Sequence, residues 1–139
     1  MRVSPVAAAV FALIAVVAVG CSSQGPEGPP TVNAPGRVVV ARGPTAEEIF
    51  SRDSAVEFQS IDQPGARAYG EIQPDGTFKL TTSKDGVRKN GIVEGQHRVR
   101  LMLDDQAVEL LAPGFAKFET SGLVATVSGE QEIVLQVWR

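Results

Sequence analysis

The chain has one cysteine and one histidine in 139 residues. A single thiol forms no intramolecular disulfide, so the folded part must rest on its own core. The lone histidine, His97, has no second histidine or free thiol to complete a zinc site or a histidine relay. No apolar run reaches the roughly 20 residues that a membrane-spanning helix needs. Basic residues are scattered, with Arg88-Lys89 and Arg98-x-Arg100 standing apart in a chain of net charge −3. Nucleic-acid binding therefore has little electrostatic support, and none is expected. Asp104-Asp105 and Asp85-Gly86 lack the Asp-x-Asp-x-Asp spacing of a calcium loop, and turn chemistry accounts for both. No metal or cofactor is expected. An isopeptide crosslink is also unsupported. The first strand has Arg37 and Arg42 but no lysine, while Asn33 and Asn90 fall in a linker and a loop.

What is present begins at the N-terminus. Met1-Arg2-Val3 supplies a positive start, and Val6 to Gly20 is an unbroken apolar, glycine and alanine run. That run suits the apolar region of a secretory signal, with small residues before a cleavage point. The sole cysteine, Cys21, lies at that point. Ala18-Val19-Gly20-Cys21 resembles the lipobox of bacterial lipoproteins, with Ala18 in place of the usual leucine. The resemblance implies diacylglycerylation of the Cys21 thiol and cleavage before it. Two or three acyl chains anchor stably where one is marginal. The expected location is therefore outside the cytoplasm, on an outer membrane or cell surface.

Residues 1–20 are thus expected to be a signal peptide. Residues 21–36, rich in proline, glycine and serine, are expected to be a lipidated cysteine with a flexible tether. Residues 37–139 are expected to be one folded domain, enough for a self-supporting core.

In that domain the most legible stretch is Gly70 to Leu80. Gln73-Pro74-Asp75-Gly76 suits a type I turn closed by a left-handed glycine. After it, Thr77 to Thr81 alternates, with Phe78 and Leu80 on one face. Arg37–Arg42 reads as the first strand, and Thr45-x-x-Glu48 has capping-box spacing before Ile49-Phe50. Ala55–Ser60 alternates with Val56 and Phe58 inward. Lys84 to Gly91 reads as a polar loop. His97–Leu103 is the clearest strand, with His97, Val99, Leu101 and Leu103 on one face and Arg98, Arg100 and Met102 on the other. Ala107 to Leu111 reads as a short strand, with Phe115 and Phe118 as loop anchors. Leu123–Val127 and Glu132–Trp138 read as a final hairpin. About seven or eight short strands at close spacing predict an all-β, antiparallel Greek-key β-sandwich.

Several phrases carry a family resemblance. They are Val56-x-Phe58, Gly70-x-Ile72-x-x-Asp75-Gly76-x-Phe78-x-Leu80, Gly95-x-His97-x-Val99-x-Leu101 and Thr120-Ser121-Gly122-Leu123. Together they resemble the small transthyretin-like (prealbumin-like) lipoproteins of planctomycete-type bacteria, related in fold to carboxypeptidase regulatory-like domains. The resemblance implies a cell-envelope sandwich and brings no catalytic residues. His97 stands where that family usually has tyrosine, and Thr45–Ser54 is longer than the usual connection. Transthyretin-like hydroxyisourate hydrolases carry several histidines and a Tyr-Arg-Gly-Ser ending. This chain ends Gln136-Val137-Trp138-Arg139, so that activity is not expected.

The expected function is a non-catalytic, lipid-anchored binding or assembly module. Its partners are the membrane, through the acyl chains on Cys21, and envelope proteins or glycans. The alternative is a carbohydrate-binding accessory domain that uses Trp138, which the strand pattern places with Val134 on the face opposite Ile133, Leu135 and Val137. One of the two faces is core, and cover of Trp138 by a neighbouring loop is the competing reading.

Overall fold

The computed structural model describes residues 28–139, so the signal region and Cys21 lie outside the described residues. The elements are β1 (Gly36–Arg42), α1 (Ala46–Phe50), β2 (Ala55–Ser60), β3 (Arg67–Glu71), β4 (Thr77–Phe78) and β5 (Thr81–Lys84). They continue as β6 (Val87–Asn90), β7 (Gly95–Met102), α2 (Asp105–Val108), α3 (Phe118–Ser121), β8 (Leu123–Val127) and β9 (Ile133–Trp138). Among the described residues no helix is long and apolar enough to cross a membrane.

The strands make two sheets. One has six strands in the order β6-β5-β3-β2-β7-β8, and the other three in the order β4-β1-β9. Every pair in the larger sheet is antiparallel. In it β7 returns beside β2 after β3 and β5 have been laid on β2's other side, which is the Greek-key arrangement. The facing sides share one core. Val56, Phe58, Val99 and Leu101 come from the large sheet, and Val38, Phe78, Leu135 and Val137 from the small one. Phe58 and Phe78 meet across the gap with ring centroids 5.9 Å apart. Each such side chain contributes about 1.5–3 kcal/mol by leaving water. The chain is thus an all-β sandwich, with nine strands rather than seven or eight.

Local expectations hold where side-chain chemistry is explicit. Gly76 N donates to Gln73 O at 2.8 Å to close the expected turn, and Gly76 has φ +88°. The Thr45 spacing, which fits a helical turn or an irregular loop equally from sequence, forms a capping box. Thr45 N donates to Glu48 Oε2 at 2.6 Å and Glu48 N to Thr45 Oγ1 at 3.3 Å, starting α1 and burying Ile49 and Phe50.

Five features differ from the sequence reading. First, Thr77 to Thr81 is not one strand: β4 pairs with β1, and the chain crosses at Lys79-Leu80 to pair β5 with β3. Second, Leu123–Val127 and Ile133–Trp138 are not a hairpin. β8 pairs with β7 in one sheet, while β9 pairs with β1 in the other, and in parallel. Both strands bury alternate residues in the same core, so they face each other across the sandwich instead of lying side by side. Third, the polar stretch after Lys84 is a hairpin of β5 and β6 turned by Asp85-Gly86, with φ of 51° and 78°. Positive φ at both central residues matches the twist of the flanking strands. Fourth, the stretch from Ala107 to Leu111 is not a strand. Asp104 accepts from Ala107 N at 2.7 Å and caps α2, a better use of its carboxylate than a turn before a strand. Fifth, the segment expected to be a flexible tether through Gly36 is already docked at Thr31. Val32 and Ile92 exchange two backbone hydrogen bonds of 2.9 Å, Thr31 Oγ1 donates to Asn90 O at 2.6 Å, and Ala34 is buried.

Candidate functional site

The outer face of the six-stranded sheet is where the pairing brings together residues far apart in sequence. One row runs straight across it: Arg88 on β6, Ser83 on β5, Arg67 on β3, Gln59 on β2, Arg98 on β7 and Val124 on β8. The next row is Asn90, Thr81, Tyr69, Glu57 and Arg100. The arginines that looked isolated therefore share a surface, because antiparallel register sets them opposite one another.

Glu57 fixes the middle of this face. Its side chain is fully buried although it points away from the apolar core. Oε2 accepts from Arg100 Nε at 2.7 Å and from a second Arg100 nitrogen, while Oε1 accepts from Arg67 at 3.1 Å and from Tyr69 Oη at 3.0 Å. Both carboxylate oxygens thus have hydrogen-bond donors, two arginines among them, which offsets the cost of burying the group. At the edge, α3 packs against β7 and sets the Phe118 ring 5.1 Å from the Arg100 guanidinium and 5.8 Å from that of Arg98. Arg98 also donates to Gln59 Oε1 at 2.8 Å. Tyr69 remains 41% exposed. Sequence reading assigned Glu57 only to the outward side of an alternating strand. The signal that would have found it is the pairing of that strand with Arg98-x-Arg100.

The expected anchors divide. Phe115 is buried in the core, whereas Phe118 serves the arginines. Trp138 shares a side of β9 with Val134, as the alternation predicts; the structure makes that side the outward one, and Trp138 is 43% exposed. Its ring meets Phe115 edge-on at 5.1 Å. It belongs to the small sheet and is not brought together with the arginine row. Cys21 lies outside the described residues. Asp75 accepts from Thr77 N at 3.0 Å and Thr77 Oγ1 at 2.6 Å, and these bonds hold its carboxyl below the ordinary range. It is a turn residue.

His97 is fully buried, its ring edge-on to Phe58. Nε2–H donates to Val93 O at 2.7 Å, and Nδ1 has no partner among the described residues. Burial pushes its pKa below the ordinary 6.5, outweighing the Val93 carbonyl and the more distant Asp62 charge. The unfolded chain therefore binds this proton more readily than the native one. The stability that His97 contributes is complete above pH 6.5 and is lost as pH falls through the depressed native value. Denaturation midpoints should fall from pH 7 to pH 5.5, and the His97→Phe variant should show a flatter profile over that window. Equal slopes would remove His97 from this account.

Among the described residues, no group of three or more His, Cys, Asp or Glu side chains is placed to hold a metal ion. No family model matches the chain, and neither the curated proteins nor the solved structures contain a match to it.

Proposed function

We propose that the protein is a lipid-anchored binding module of the cell envelope, held through Cys21 and recognising its partner with the outer face of the six-stranded sheet. The observation that carries the recognition part is the convergence of Arg67, Arg88, Arg98 and Arg100 on one open sheet face. The side chains there are held for contact rather than for reaction. Glu57 is enclosed by donors, and His97, the only histidine, is buried on the other side of the sheet. A binding role is therefore favoured over catalysis. The sandwich architecture accords with the proposed kinship to transthyretin-like lipoproteins, and fold alone assigns no activity.

The anchoring part rests on the signal-like N-terminus and on Cys21, the sole thiol. Its test is metabolic labelling with a clickable fatty acid in a bacterial host that processes lipoproteins, followed by membrane fractionation. The wild-type chain should carry label and sediment with membranes, and Cys21→Ser should lose the label and keep its signal segment. Label retained in Cys21→Ser would refute anchoring at this residue.

A further inference from the structure

We infer that the row of Arg88, Arg67 and Arg98 is a track for an anionic polysaccharide laid across the strands, one acidic group per disaccharide. The inference rests on the reading that this face is the recognition surface, and it names the ligand class.

Three observations carry it. The first is charge. The face presents Arg67, Arg88, Arg98 and Arg100 against Glu57 and Glu71, on a chain whose net charge is −3. Arg88 and Arg98 have no carboxylate partner among the described residues, so their charge is available to a ligand.

The second is spacing. In the row each arginine is separated from the next by one intervening strand, Ser83 on β5 or Gln59 on β2. Strands lie about 4.8 Å apart, so the backbone positions of the three arginines repeat at about 10 Å. That is comparable with the length of an extended disaccharide. It is wider than the step between successive nucleic-acid phosphates, and a dense polyanion would also meet the acidic remainder of the protein. Arg67 shares the single Glu57 carboxylate with Arg100, which leaves one of their two positive charges for a ligand.

The third is what lies between and beside the cations. Ser83 and Gln59 separate the arginines, and Thr81 and Asn90 stand in the next row, supplying the hydroxyl and amide groups that sugar hydroxyls bond. Tyr69 offers a part-exposed ring in that same row. An apolar ring face with a polar rim suits the C–H face of a pyranose. The surface is an open sheet rather than a pocket, which fits a polymer better than a small molecule.

The test uses the full chain in detergent, with immobilised hyaluronan and unsulfated chondroitin as acidic polymers that carry one carboxylate per disaccharide, dextran as the neutral one, and biolayer interferometry as the readout. The comparison variant is Arg88→Gln/Arg98→Gln, which leaves the Glu57, Arg67 and Arg100 bonds in place. Binding to an acidic polymer should exceed that to dextran, weaken with added salt, and fall about tenfold or more in the double variant. Trp138→Ala should leave it unchanged. Equal binding to dextran, or no binding to either acidic polymer, would overturn the inference. So would equal affinity for anionic lipid vesicles or single-stranded DNA.

A photocrosslinker at Thr126 separates this inference from the reading beneath it. If acidic polymers fail but an envelope protein is captured and lost in the double variant, the face stands and the polysaccharide falls. If neither interaction depends on Arg88 and Arg98, the face itself is wrong.

Discussion

Gly76→Ala should lower stability by about 3–5 kcal/mol, read as a fall of roughly 15–30 °C in midpoint temperature. Two costs combine. Gly76 has φ +88°, where a residue with a Cβ is strained. The added carbon would also sit 2.5 Å from the Val38 carbonyl oxygen, which is backbone and cannot swing aside. Relief requires the turn to move away from β1, where Val38 N donates to Gly76 O at 2.8 Å. Gly86→Ala is the matched control. Gly86 also has positive φ, at 78°, but nothing lies within 4 Å of its Cβ position. It should cost only about 1–2 kcal/mol. Urea denaturation of the two variants isolates the contact with β1. Equal losses would mean that the close approach to Val38 carries no weight.

Glu57→Ala should cost about 2–4 kcal/mol. Removing one partner of a buried ion pair costs about 3–5 kcal/mol when the survivor is trapped. Arg67 and Arg100 are part-exposed and can turn towards water, which reduces the figure. Loss of Glu57 also frees Tyr69 Oη and empties the centre of the sheet face. Glu57→Gln should cost less, since the amide oxygen still accepts from a guanidinium. A double-mutant cycle with Arg100→Met gives the coupling, expected at about 1.5–3 kcal/mol. A coupling near zero would show that packing around position 57, and not the Arg100 bond, sustains the strand.

What the sequence reveals and what it hides divide along a physical line. Alternation tells which residues of a strand share a side, so Val56 with Phe58, Val99 with Leu101, and Leu135 with Val137 are grouped from the pattern alone, and each group is buried. It does not tell which sheet a strand joins. Phe78 and Leu80 alternate as one strand would, yet the chain changes sheets between β4 and β5. The same ambiguity turns an expected β8–β9 hairpin into an arch across the core. The β6 strand escapes notice for the opposite reason. Val87-Arg88-Lys89-Asn90 has one apolar residue, and pairing with β5 rather than burial holds it. The Asp85-Gly86 turn is the signal that would have exposed it. The candidate face is hidden more deeply, because its chemistry exists only after register is set. Arg67 and Arg98 are 31 positions apart, and Gln59 between them is what makes them neighbours.

The parallel pairing of β1 with β9 has a mechanical consequence. An acyl anchor at Cys21 would load the domain from the N-terminal side, through the Val32–Ile92 bridge and then along β1. At Gly36 and Arg37 that strand is gripped on both sides, by β4 and by β9, and β9 accompanies it to Arg42. The hydrogen bonds run across the direction of pull. They would be loaded together in shear rather than opened one after another from an end. Because β9 runs the same way as β1, its C-terminal end lies at the far end of the pair, where Arg139 N donates to Arg42 O. Tension between the two chain ends would have to slide one strand past the other.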